Sequence, residues 1–176
     1  MMIEGLARAK ALVRHAALGL AALALAGGGL AADAAARSHR APAHPVAPAL
    51  HPISGLPVIP LMVTARHNRH RGFQVELARS FAEQEKGLMF RVAMGPNEGM
   101  LFPMDPPRIA SFWMKNTVIP LDIVFIGPDH RVLNVADAKP YDLTPLPSDG
   151  TAIAVLELNA GTARRLGFGK GAKVAW

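Results

Sequence analysis

The chain has 176 residues, a formal net charge of +6 and no cysteine. The absence of thiols excludes disulfides, thiol nucleophiles and an acylated N-terminal cysteine. An exported domain of this kind is held together by core burial alone.

The first 14 residues carry Arg8, Lys10 and Arg14 against a single Glu4, and residues 16–32 then contain no charge. A positive start, an Ala/Leu run and the small residues Ala34-Ala35-Ala36 before Arg37 make the pattern of a cleaved signal peptide over residues 1–36. No Arg-Arg pair occurs there, so a Sec-type route to the periplasm or the exterior is expected. The uncharged run contains Gly19 and Gly27-Gly28-Gly29, which leaves it weakly apolar. No stable membrane span is therefore expected after cleavage.

Residues 37–65 read as a tether. Pro42, Pro45, Pro48, Pro52, Pro57 and Pro60 punctuate an Ala-rich stretch with neither helical nor strand period, which favours extended conformers. His39, His44 and His51 lie in this stretch without preformed geometry, so no metal site is assigned to them. From Arg37 onward 16 basic residues stand against 11 acidic ones, and the densest basic cluster is Arg66-His67-Asn68-Arg69-His70-Arg71. Export and the lack of interleaved aromatics argue against nucleic acid. An anionic or sugar-like envelope ligand is the expected partner class.

A single globular domain is expected over residues 66–176. The stretch from Phe73 to Ala78 alternates as a half-buried strand. Ser80 and Glu83 have the spacing of a capping box, with Phe81, Leu88 and Met89 on one face of a short helix and Gly87 near its end. Met100-Leu101-Phe102 reads as a short strand curtailed by Pro103. Residues 111–115 and 121–126 read as strands flanking a corner at Asn116-Thr117 and Pro120. Gly127-Pro128-Asp129-His130 divides the second of these from a hairpin partner over 131–136. Residues 151–158 form a further strand, Thr162 to Leu166 a short helix ended by Gly167, and 173–176 a last strand. The order predicts a mainly β protein with α+β character: a compact antiparallel sandwich or barrel-like single domain with one or two short helices.

Period two places Asp122 and Glu157 inside strands that are otherwise apolar. Asp122 is expected to find the Asn116-Thr117 corner, Lys115 or Arg91, while Glu76 is expected on a polar strand face. The candidate ligand-binding residues are Arg91, Trp113, Lys115, Asn116, Asp122 and Glu157. Three functional readings compete with a purely internal salt-bridge network of the charged residues. The first is a small polar binding pocket, which needs no cofactor. The second is a carboxylate pair, Asp122 and Glu157, hydrolysing an envelope glycan with Trp113 as a stacking face. The third is a copper site built from Met89, Met94, Met100, Met104 and Met114. The pattern favours a non-catalytic envelope binding or accessory domain, with no catalytic residue and no metal ligand assigned.

The strings KGLMFR (86–91), EGMLF (98–102), FWMKNTVIPLDIVFI (112–126) and VLELNAG (155–161) occur in the order and spacing of the domain of unknown function 192 family, which the chain resembles over about residues 73–176. The resemblance implies a compact β-rich domain with short helices, often exported behind a signal peptide, and brings no established activity. Two departures stand out. Pro103 to Pro107 interrupts a segment that in the family continues with apolar residues, and Gly171-Ala172 stands where the family often has Gly-Asp.

Overall fold

The computed structural model describes residues 47–176. The expected signal peptide and the first part of the expected tether lie outside the described residues. Seven strands build one sheet: β1 (Val58–Ala65), β2 (Arg69–Leu77), β3 (Glu98–Phe112), β4 (Leu121–Ile126), β5 (Val132–Ala138), β6 (Leu146–Asn159) and β7 (Lys173–Ala175). Two short helices accompany them, α1 (Phe81–Lys86) and α2 (Thr162–Leu166). The strand order is β5-β4-β6-β3-β2-β1-β7. The mainly β class with two short helices is as expected.

The sheet curls until its two edges approach. Arg131, just before β5, bridges to Lys173 of β7. The backbone bonds Val132 N to Ala172 O (2.9 Å) and Val174 N to His130 O (2.8 Å) stitch the seam. The barrel-like alternative therefore describes the fold. The inner face draws apolar residues from every strand, among them Val63, Val75, Leu101, Val124, Val132, Leu156 and Val174, and α2 adds Ala163. A second core lies outside β3, β4 and β6, with Met100, Phe102, Ile123, Phe125 and Val155 beneath Leu88, Met114 and Ile119. β4 is buried at all six positions because both of its faces are covered.

Four expectations are corrected. Residues 58–65, read as tether, form β1, which pairs along its whole length with β2 and also with β7. The prolines mislead because Pro60 is tolerated within a paired strand near the sheet margin. The folded part therefore extends upstream of Arg66: Val58 N donates to Ala49 O (2.7 Å). The basic cluster Arg66 to Arg71 is accordingly the β1–β2 turn and the start of β2. Second, β2 and β3 are parallel, the one parallel pair in the sheet, with α1 in the crossover. The helix is legible from its capping box, but a single short helix between two strands does not by itself signal the crossover of a parallel pair. Third, β3 is not cut at Pro103; it runs to Phe112, absorbing the proline segment as a register shift between Pro103 and Arg108. Fourth, Phe81 does not face the core: α1 has no buried residue. Its capping box forms as read, with Glu83 N bonded to Ser80 Oγ (3.3 Å) and Ser80 N to Glu83 Oε2 (2.7 Å).

Candidate functional site

Pairing of β4 with β6 sets Ile123 opposite Glu157 and Asp122 opposite Leu158. Neighbouring positions on a strand point to opposite faces. Asp122 therefore shares the inner face with Val124 and Leu156, and Glu157 shares the outer face with Ile123 and Val155. The two carboxylates are separated by the sheet and cannot flank one bond, so the expected Asp122/Glu157 hydrolytic pair is excluded.

Asp122 is fully employed. Its Oδ1 accepts from Gly161 N (2.8 Å) and its Oδ2 from Ala163 N (2.7 Å). It thus ties β4 to the start of α2, where first-turn N–H groups lack helical partners. Gly161 stands at φ 75° ahead of that turn, a left-handed conformation that glycine adopts without strain. The expected partners Asn116, Thr117, Lys115 and Arg91 are not used.

Arg91 has another acid. Its Nη1 and Nη2 donate to Oε1 and Oε2 of Glu76 at 2.8 and 2.9 Å, and both side chains are buried. Ser54 Oγ donates to Glu76 Oε2, and His51 Nδ1 lies 3.5 Å from the same oxygen. Glu76, read as lying on a polar face, is instead the centre of a buried network that clamps the residues before β1 onto β2. No sequence signal identifies it, because the covering segment reads as a proline-rich tether.

Asn116 forms the corner. It adopts φ 56°, its carbonyl accepts from Phe90 N (2.8 Å), and its Nδ2 approaches Met89 Sδ at 3.8 Å. Met100, Met104 and Met114 are buried in the outer core, where a thioether packs as a flexible apolar filler. No cluster of three or more His, Asp or Glu suited to a metal occurs among the described residues. No helix among them is long and apolar enough to cross a membrane.

Trp113, Lys115 and Glu157 do come together. They line a groove of about 280 Å³ between α1 and the end of β3, with Phe102, Phe112 and Arg108 also in its walls. Trp113 is 52% exposed, and Lys115 Nζ lies 5.3 Å from the centre of its ring. Phe102 packs edge-on against Phe112 with centroids 5.2 Å apart, which stiffens the apolar wall. Glu157 Oε2 is buried and is the one buried side-chain oxygen or nitrogen among the described residues with no hydrogen-bond partner. Burial pushes the Glu157 carboxyl up to about 8 from an ordinary 4.5. At neutral pH the group is a neutral carboxylic acid, able to donate one hydrogen bond and accept others. Gly99 permits this placement: a Cβ there would lie 2.6 Å from the Glu157 carbonyl oxygen, so β3 approaches β6 as only glycine allows. Lys86 and Arg108 at the rim escaped the sequence reading, because each belongs to a segment whose tertiary neighbours are remote in sequence.

The family profile of the domain of unknown function 192, described as an uncharacterized ACR, matches residues 62–176. A crystal structure of a protein of unknown function from Novosphingobium aromaticivorans DSM 12444 is 56% identical, with a TM-score of 0.71, covering 75% of this chain and 94% of that one. A putative transcription regulator from Sinorhizobium meliloti 1021 is 37% identical, with a TM-score of 0.64, covering 66% of this chain and 91% of that one. No protein with a curated description matches.

Proposed function

The chain belongs to the domain of unknown function 192 family, and from that premise we propose that it is an exported envelope protein, a non-catalytic binding or accessory domain whose ligand occupies the groove between α1 and Trp113. The observation that carries this reading is the buried, unpartnered Glu157 oxygen in the outer core beside a groove of mixed aromatic and charged lining. An orphaned polar atom of this kind costs folding free energy, of order 1–3 kcal/mol. A ligand hydroxyl or carbonyl that meets it recovers that cost on binding.

The ligand class follows from the walls. Trp113 and Phe112 offer faces to a ring, neutral Glu157 offers a donor and acceptors to hydroxyl groups, and Lys86, Arg108 and Lys115 outnumber Glu85 among the exposed charges of the lining. A sugar-like ring carrying an anionic substituent fits all three. The positive start and uncharged Ala/Leu run within residues 1–36 support delivery to the periplasm, where such molecules are abundant. Fractionation of cells for the processed chain tests that part directly: a chain found uncleaved in the cytoplasm removes the envelope from the account.

Binding is tested by thermal-shift titration of the protein with neutral hexoses, uronic acids and sugar phosphates. A ligand at 100 times its dissociation constant stabilises by about 2.7 kcal/mol. The stabilisation is expected to vanish in Trp113→Ala and to weaken in Glu157→Leu. A ligand that stabilises both variants as it does the parent places binding elsewhere.

A further inference from the structure

The seam where the sheet edges meet has a feature unconnected with the groove. β7 lies between β1 and the start of β5, with Lys173 paired to Thr64 on one side and bridged to Arg131 on the other. Two residues beyond Thr64, the β1–β2 turn begins at Arg66. The loop joining α2 to β7 contributes Lys170. Arg66, Arg131, Lys170 and Lys173 thus line one cleft of about 870 Å³, and no acidic residue lines it. Arg69 adds its guanidinium against Gly167 on the same loop, so closely that a Cβ there would collide with it.

Two acids beside the cleft offset part of this charge, and among the described residues Arg66 and Lys173 have no acid within salt-bridge distance. Asp129 Oδ2 is 3.9 Å from Arg131 Nε, and Asp149 Oδ2 is 3.6 Å from Lys170 Nζ. All four side chains are more than half exposed, so these pairs contribute little to stability. Arg131 is also fixed in place, since its Nη1 donates to Gly171 O at 2.8 Å. A concave surface lined by one sign of charge focuses the field and concentrates counter-ions. Two fork-shaped guanidinium groups and two ammonium groups match the several acceptor oxygens of phosphate esters better than a single carboxylate.

We propose that this cleft is a binding site for paired phosphate groups, a pyrophosphate or bisphosphate moiety carried on a headgroup or a soluble molecule. Arg131 and Lys173 form its preformed floor. Arg66 and Lys170 close on the ligand from the turn and the loop.

The test is calorimetric titration of the full protein with pyrophosphate, with sulfate and chloride at matched ionic strength as references. Saturable pyrophosphate binding well above both references is expected. The double variant Arg66→Ala/Lys170→Ala touches no hydrogen bond that holds the fold, and it should lose on the order of tenfold in affinity per contact removed. Arg66→Lys/Lys170→Arg should retain most of the affinity, and Glu157→Gln all of it. Sedimentation with phosphatidylcholine vesicles, with and without cardiolipin, whose headgroup carries two phosphates, then separates the sources. Vesicle binding that pyrophosphate displaces supports a lipid-borne phosphate, and pyrophosphate binding without vesicle binding supports a soluble one. Pyrophosphate affinity no higher than that of the reference anions, or unchanged in the alanine double variant, overturns the proposal.

Discussion

Asp122 and Glu157 sit one register step apart on neighbouring strands, both almost wholly buried, yet their surroundings are opposite. On the inner face, two backbone N–H groups at the start of α2 satisfy Asp122, and the acid becomes a strut between sheet and helix. On the outer face, apolar side chains surround Glu157, and one of its oxygens meets no partner in the protein. Burial by itself therefore does not tell a satisfied acid from an orphaned one. What distinguishes them is the supply of donors, and that depends on which side of the sheet the carboxylate faces. The buried Glu76, with Arg91, Ser54 and His51 around it, belongs with Asp122.

Substitutions at the three acids should break or sharpen this contrast, and they differ in sign as well as size. The largest effect is expected at Glu76. Glu76→Ala strands Arg91 as a buried unpaired cation, which typically costs about 3–5 kcal/mol. Urea denaturation followed by circular dichroism reads this directly, and a loss below about 1 kcal/mol would show the network to be solvent-relaxed. Next comes Asp122→Ala, which orphans the N–H groups of Gly161 and Ala163 and is expected to destabilise by about 2–4 kcal/mol. Amide exchange at Ala163 should accelerate in the same variant, and unchanged protection there would mean that another acceptor holds the turn.

Glu157→Gln reverses the sign. The unfolded carboxyl gives up its proton near 4.5, the folded one near 8. Between those values the folded state holds the extra proton, so stability falls as pH rises, by up to about 1.4 kcal/mol per pH unit, and levels off above the upper value. Below the lower value the penalty is absent. The Gln variant carries no such slope, so it should overtake the parent in stability as pH rises through the window. Parallel stability–pH curves for the two proteins would remove Glu157 from the account. The smallest effect on folding is expected at Trp113, whose side chain is half exposed: Trp113→Ala should change stability by only about 0.5 kcal/mol while abolishing ligand-induced stabilisation.

Much of this contrast was legible in the sequence, but not its resolution. The run from Leu121 to Ile126, apolar at every position but one, announced a doubly covered strand with a buried acid. The Ser80/Glu83 box and the glycines at 161 and 167 marked both helices. Placing Asp122 and Glu157 on opposite faces needs the register between β4 and β6, which is a tertiary fact that strand alternation alone does not supply. The same limit hid the partner of Arg91: Glu76 looked solvent-facing because the segment that covers it reads as proline-rich linker. The groove was half seen, through Trp113, Lys115 and Glu157. Its other wall is α1, where the sequence suggests an apolar stripe through Phe81 facing the core, whereas the helix buries no residue.

The central claim is that Glu157 is held neutral in the outer core beside the groove. Carbon-13 NMR of the glutamate carboxyl carbons, followed from pH 4 to pH 9 with Glu157→Gln to assign the resonance, tests it most directly. A Glu157 midpoint near 8 is predicted. A midpoint near the ordinary 4.5 would show that the carboxylate is solvated or paired, and the groove would lose the feature on which its proposed role rests.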